Sequence, residues 1–218
     1  MIGFKGVIFD CDGVLLDSMR IWYVVEEEFL RSIGKEPRPN ILDELKPLNG
    51  FEVAEYYQAE YGVDMPAVEL LNRRDVFAAE FYANEVTLKE GVVGILDTLR
   101  ARGIRMCVAS ASHKSLIESG LGRCGILWYF EKIFSCVEEC TTKNSPDIFI
   151  RAAASMGTMI KDTLVIEDAL HAIVSAKKAG FPVIGVYDFS HAEEQDEIKR
   201  LSDHYLESSG GMMELLQT

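Results

Sequence analysis

Residues 6–15 read Gly6-Val7-Ile8-Phe9-Asp10-Cys11-Asp12-Gly13-Val14-Leu15. A short apolar run ends in two carboxylates spaced two apart, and a glycine follows at once. That order predicts a buried strand running into a tight turn. Side chains alternate across an extended chain, so at the strand end Asp10 and Asp12 face one side and Cys11 the other. Alone, such an acidic pair is most often a turn or a helix cap. The chain that follows decides what it is.

Further apolar, β-branched-rich runs occur at 104–109, 163–166 and 182–186, with a weaker one at 133–137. Helical periodicity fills the gaps at 92–102, 115–121, 147–156 and 170–179. Gly103, Gly157 and Gly180 stand where helix C-terminal caps belong. Strands alternating with helices predict an α/β fold, a parallel sheet covered on both faces. The segment 16–86 breaks the alternation. It has helical periodicity at 22–33, 53–61 and 67–83 and no strand signal. The expected organisation is an α/β core of residues 1–15 and 87–218 with an all-helical domain, 16–86, inserted after the first strand.

The 218 residues are enough for one buried core and a smaller accessory domain. Lys and Arg number 22 against 35 Asp and Glu, a net charge of −13. That balance disfavours a nucleic acid polymer or an anionic membrane as partner. A small phosphorylated ligand is still compatible, because a few local cations reverse the sign inside a cleft. No apolar run approaches the roughly 20 residues that span a bilayer. The opening MIGFKGVIFDCDG lacks the pattern of a secretory signal, so a cytoplasmic location is expected. The five cysteines form no paired framework and read as reduced thiols. Cys136 and Cys140 have no second Cys or His pair at zinc-site spacing. A monomer or weak homo-oligomer is expected.

Four polar clusters follow the predicted strands. Asp10 and Asp12 follow the first, Ser110 and Ser112 the run at 104–109, and Glu167 and Asp168 the run at 163–166, while Lys143 comes a few residues after 133–137. Ligands of open α/β sheets bind outside the carboxyl ends of the strands, so these clusters converge by architecture. Asp10, Asp12 and Asp168 bring hard oxygen donors of the kind magnesium takes. Without a cation each pair of such carboxylates repels by about 4 kcal/mol at 4 Å and an effective dielectric of 20. Lys143 and the Ser110 hydroxyl offer donors to phosphoryl oxygens. An aspartate, with a reference pKa of about 3.9, needs no base to become a nucleophile at neutral pH.

Residues 7–15 resemble the first motif of the haloacid dehalogenase-like hydrolase superfamily. Ser110 in Val108-Ala109-Ser110-Ala111-Ser112 resembles the second, Lys143 in Lys143-Asn144-Ser145-Pro146-Asp147 the third, and Val165-Ile166-Glu167-Asp168 the fourth. Their order and spacing are similar to the branch with β-phosphoglucomutase and small-metabolite phosphatases. The resemblance implies a Rossmann-like core with sheet strands ordered 5-4-1-2-3 and a helical cap after the first motif. It implies that Asp10 is the nucleophile and a ligand of Mg2+. Asp12 is then the acid–base, touching the metal through its backbone carbonyl. Ser110, Ala111 and Lys143 hold the transferring phosphoryl group, Asp168 ligates the metal and Glu167 supports that shell. The expected function is a magnesium-dependent phosphatase, a phosphoric monoester hydrolase acting on a small phosphorylated metabolite. Asp12 points the same way, because dehalogenases, phosphonate-cleaving members and cation pumps lack an aspartate there.

The chain departs from the pattern in places. Asn144 replaces the usual Pro after the lysine, and Ala169 and Ala172 replace Ser and Gly after the fourth motif. Ala172 would narrow the rim or shift the surface on which the cap docks. Trp22 stands where the mutase carries a histidine, which argues against the alternative of a sugar phosphomutase. A catalytically weak phospho-ligand-binding protein is the other alternative. Asn49-Gly50-Phe51 resembles the substrate-sensing loop of the family, and Gly50 equally reads as a helix break. Trp22, Tyr23, Tyr56 and Tyr57 read as cap core or domain interface.

Overall fold

Val7, Ile8 and Phe9 show water no polar side chain on either face, and β1 (Gly6–Phe9) accordingly lies inside a sheet of six parallel strands. The computed structural model describes residues 3–45, 48, 50–208 and 211. Two units are compact in themselves, Met1–Asp17 with Val86–Thr218, and Ser18–Glu85. In the first, β4 (Arg105–Ser110) and β5 (Lys132–Ser135) extend the sheet to one side of β1. On the other side stand β6 (Thr163–Glu167), β7 (Val183–Val186) and β8 (His204–Leu206). The order β5-β4-β1-β6-β7-β8 is the predicted 5-4-1-2-3 with one edge strand added. His204-Tyr205-Leu206 buries only Leu206, so no apolar run marked that strand. The run at 133–137 is Lys132–Ser135 instead, because the chain turns beyond it, where Glu139 N–H donates back to the Ser135 carbonyl.

The expectation of no strand within 16–86 is corrected at its first residues. Leu16 and Asp17, β2 (Leu16–Asp17), pair antiparallel with β3 (Thr87–Leu88). A two-residue ladder is too short to show a periodicity. Beyond it, Ser18–Glu85 is helical: α1 (Met19–Ser32), α2 (Ile41–Leu45), α3 (Gly50–Tyr61) and α4 (Ala67–Asn84). Its core joins Phe29, Leu30, Ile41, Val53, Tyr57 and Leu70. Buried among them, Glu26 accepts from the Tyr57 hydroxyl and pairs with Arg74 at 2.8 Å. The Arg74 guanidinium lies 5.0 Å from the Trp22 ring centroid. Trp22 and Tyr57 thus belong to this internal packing, whereas Tyr23 is exposed.

The sheet unit is completed by α5 (Val92–Ala101), α6 (Lys114–Arg123), α7 (Asp147–Ser155), α8 (Leu170–Lys178) and α9 (Gln195–Leu201). One apolar cluster gathers Ile8, Cys107, Phe134, Phe149, Val165, Ile173 and Val183 from sheet and helices together. Ala172, fully buried, belongs to the same cluster, so it is a core residue and not part of the rim. The chain runs from β1 to β4 on one flank and reaches β6 on the other. That reversal beside β1 opens a crevice at the carboxyl ends of the strands.

Candidate active site

The crevice gathers side chains from four strand ends. Asp10 follows β1 directly, and its N–H donates to the Ile166 carbonyl at 2.9 Å, extending the ladder by one residue. Glu167 ends β6, Asp168 follows it, Ser110 ends β4, and Lys143 lies on the segment between β5 and α7. All are buried, with Asp10 at 6% and Lys143 at 5% exposure. Asp12 is at 9%. Gly13 makes the turn with φ +84°, and a Cβ there would stand 2.2 Å from Asp168 Oδ2. Only glycine tolerates both conditions. Gly13→Ala is expected to destabilise the fold by about 2 kcal/mol or more, combining left-handed strain with displacement of Asp168. Urea unfolding checks this, and an unchanged midpoint would contradict the close packing.

Lys143 Nζ forms ion pairs with Asp10 Oδ1 and with Glu167 Oε2, the second at 2.7 Å. The other oxygen of Glu167 accepts the N–H groups of Asp168 and Ala169, each at 3.2 Å. Glu167 therefore both fixes the turn that leads into α8 and serves as the second anchor of the lysine. Carboxylate oxygens of Asp10, Glu167 and Asp168 all lie within 4.8 Å of one another. Burial pushes Asp10 well above the usual carboxylate range against the pull of Lys143, with Glu167 and Asp12 adding to the rise. Burial does the same to Asp168, reinforced by Asp10, Glu167 and Asp188. Glu167 goes the other way: burial opposes it, but Lys143 holds its carboxyl below the ordinary value. Burial would lower Lys143, yet its two carboxylates raise it above an ordinary lysine.

One lysine does not balance three buried carboxylates. Among the described residues Asp168 Oδ2 is buried with no hydrogen-bond partner. A buried polar oxygen without a partner costs about 1–3 kcal/mol, more when charged. The donor set is all hard oxygen, and a divalent cation fits it. Asp10 and Asp168 are the side chains that would hold one, with Glu167, committed to Lys143 and to two N–H groups, beside them.

The other residues singled out in the sequence divide. Ser110 Oγ accepts from Ser112 N–H at 3.0 Å, and Ser112 Oγ donates to Asp12 Oδ2 at 2.7 Å. Ala111, on the same loop, is exposed, as is Asn144. Gly50 is the first residue of α3 in the helical unit, and Asn49 lies outside the described residues. Two further groups were missed. Asp188, just past β7, is fully buried, accepts from Ser190 and pairs with Lys89 at 2.6 Å. Ser135 ends β5 and donates to the Ser112 carbonyl at 2.8 Å. Both obey the rule that marked the others, a polar residue at a strand's carboxyl end.

Comparison with known proteins agrees with this geometry. A family model described as haloacid dehalogenase-like hydrolase matches residues 7–186. The 6-phosphogluconate phosphatase of Escherichia coli (strain K12) is 25% identical over 188 residues, 84% of this chain and 82% of its own. The crystal structure of CbbY from Rhodobacter sphaeroides in complex with phosphate superposes with a TM-score of 0.86 at 20% identity, covering 96% of each chain. β-Phosphoglucomutase from Clostridium difficile gives 0.80 at 20% identity, covering 98% of this chain and 96% of its own. At that identity the two structures speak for the fold.

Proposed function

The chain belongs to the haloacid dehalogenase-like hydrolase family, and from that membership we propose a magnesium-dependent phosphatase of a small phosphorylated metabolite, with Asp10 as nucleophile. The observation that carries the reading is Asp10 buried between Lys143 and the Glu167–Asp168 pair, with Asp12 two residues on. The phosphatase name of the bacterial relative supports phosphate ester chemistry.

The residues divide the work as follows. An Asp10 carboxylate oxygen attacks phosphorus, and the ester P–O bond breaks with its electron pair on the leaving oxygen. Asp12 gives that oxygen a proton. The product is an aspartyl phosphate. Water then attacks its phosphorus, Asp12 takes the water's proton, and inorganic phosphate leaves with Asp10 restored. Lys143 fixes the direction of Asp10 and neutralises charge on the transferring group, and Ser110 offers that group a hydroxyl. Magnesium, when bound by Asp10, Asp168 and the Asp12 carbonyl with Glu167 supporting, supplies positive charge that lets a carboxylate approach a phosphate dianion. The helical unit, residues 18–85, is read as the cap that selects the substrate, and no helix among the described residues is long and apolar enough to cross a membrane.

The test is phosphate release from sugar phosphates, nucleotides, phosphoglycolate and 6-phosphogluconate, with magnesium and with excess chelator. Release that depends on magnesium is expected. Asp168→Asn should raise the magnesium concentration for half-maximal rate by about tenfold or more. Undiminished turnover in chelator would overturn the metal assignment. An isomerised sugar phosphate without release would mean a mutase, and no turnover would mean a binding protein.

A further inference from the structure

In the proposed reaction Asp12 must present one particular oxygen to the leaving group. The loop after β4 carries a hydroxyl aimed at it. Ser112 Oγ donates to Asp12 Oδ2 at 2.7 Å, across one hundred positions of sequence. The main chain of Ser112 is pinned on both sides: its N–H donates to Ser110 Oγ at 3.0 Å and its carbonyl accepts from Ser135 Oγ at 2.8 Å. Ser135 Oγ in turn accepts the Val137 N–H at 3.2 Å. Ser110 and Ser135 are themselves buried, at 1% and 2% exposure. Three hydroxyls thus tie together the ends of β1, β4 and β5. A serine on a free loop would share its donor with water. Here the peptide groups flanking Ser112 are committed, so its hydroxyl meets Asp12 from a fixed direction.

We infer that Ser112 is a positioning residue that aims Asp12 at the leaving oxygen, an inference that rests on the phosphatase reading. With Oδ2 held by Ser112, the Asp12 carboxyl group keeps one orientation. Loss of the hydroxyl leaves the carboxyl group able to turn, and the first half-reaction suffers. The attack itself, made by Asp10, is untouched. The effect therefore depends on how badly the departing oxygen needs a proton. An alkoxide needs one, whereas p-nitrophenolate leaves without help.

The measurement is kcat/KM of wild type, Ser112→Ala and Ser112→Thr on p-nitrophenyl phosphate and on whichever of glycerol 3-phosphate, glucose 6-phosphate and 6-phosphogluconate the wild type cleaves fastest. This ratio reports steps only up to the first irreversible one, so slow hydrolysis of the aspartyl phosphate does not blur it. Ser112→Ala should lower it about tenfold or more on the alkyl ester and less than about threefold on the aryl ester. Ser112→Thr, which keeps the hydroxyl, should restore most of the alkyl rate. If Ser112→Ala does not fold, Ser112→Cys, a weak donor, should show the same selective loss. An equal loss on both esters, or no loss on either, would overturn the role of Ser112 while leaving the phosphatase reading intact. Wild-type protein that cleaves none of the esters would overturn the phosphatase reading itself, and this inference with it.

Discussion

Asp10→Asn is expected to lower kcat by on the order of 10⁴-fold or more and to leave no phosphoryl group on the protein. The amide matches the carboxylate in shape but carries no charge with which to attack phosphorus. It also removes a charge that burial disfavours, since desolvation drives the Asp10 carboxyl upward. The variant should therefore unfold no more easily than wild type, which separates lost chemistry from lost structure. Asp12→Ala should behave differently with acetyl phosphate, whose leaving acetate needs no proton. Asp10 can still attack, but the water step has lost its base, so phosphoryl protein accumulates. Rapid quenching and mass spectrometry should place that group on the peptide containing Asp10. A label on a histidine or serine, or steady turnover by Asp10→Asn, would overturn the assignment.

Lys143→Met is expected to cost about 3–5 kcal/mol of stability at neutral pH, the range found when one partner of a buried ion pair is removed. The lysine side chain is 4% exposed and holds Asp10 and Glu167 together. Methionine fills the space and leaves two buried carboxylates facing each other. The sign of the pH dependence follows from the direction of each shift. In the wild type Lys143 holds Glu167 low, so that pairing stabilises the fold above the ordinary Glu pKa and is lost as acid protonates it. In the variant burial and the mutual repulsion of the carboxylates act unopposed, so Glu167 rises above its unfolded value and Asp10, already above it, rises further. The instability then appears once pH exceeds about 4 and grows until the folded-state values are reached. The gap between the two proteins in urea should be wide at pH 7 and narrower at pH 5. A gap below about 1 kcal/mol at pH 7, or one that widens with acid, would contradict the pairing. Activity should fall by about 10²–10³-fold as well, as when a preorganised donor is removed.

The core strands and the placement of Asp10, Lys143, Glu167 and Asp168 were legible from local pattern, while the strand order came from the resemblance of the four motifs to a known family. A strand buried on both faces must be apolar throughout, and a polar residue that ends it must lie at the sheet's rim. That logic needs only neighbours in sequence, and β1, β4, β6 and β7 all obey it. It failed at β8, an edge strand buried at one residue, and at the β2–β3 ladder, where pairing partners are some seventy residues apart. Comparison with the family pattern put Ala172 at the rim or at the surface on which the cap docks, but the register of α8 turns that residue into the core. The local pattern named Ser112 without a partner.

By itself, then, the amino-acid order determined the architecture, the family and the acidic identity of the site. Hydrophobic periodicity reports which face of a local segment is buried, and short motifs keep reactive residues at set distances along one chain. Tertiary structure alone decided that Glu167 pairs with Lys143 and that, among the described residues, Asp168 Oδ2 is left without a partner. It alone decided that Ser112 reaches Asp12. Hydrogen bonds and ion pairs form across a few ångströms between residues more than twenty or even a hundred positions apart, and no local periodicity encodes which of many polar groups will meet.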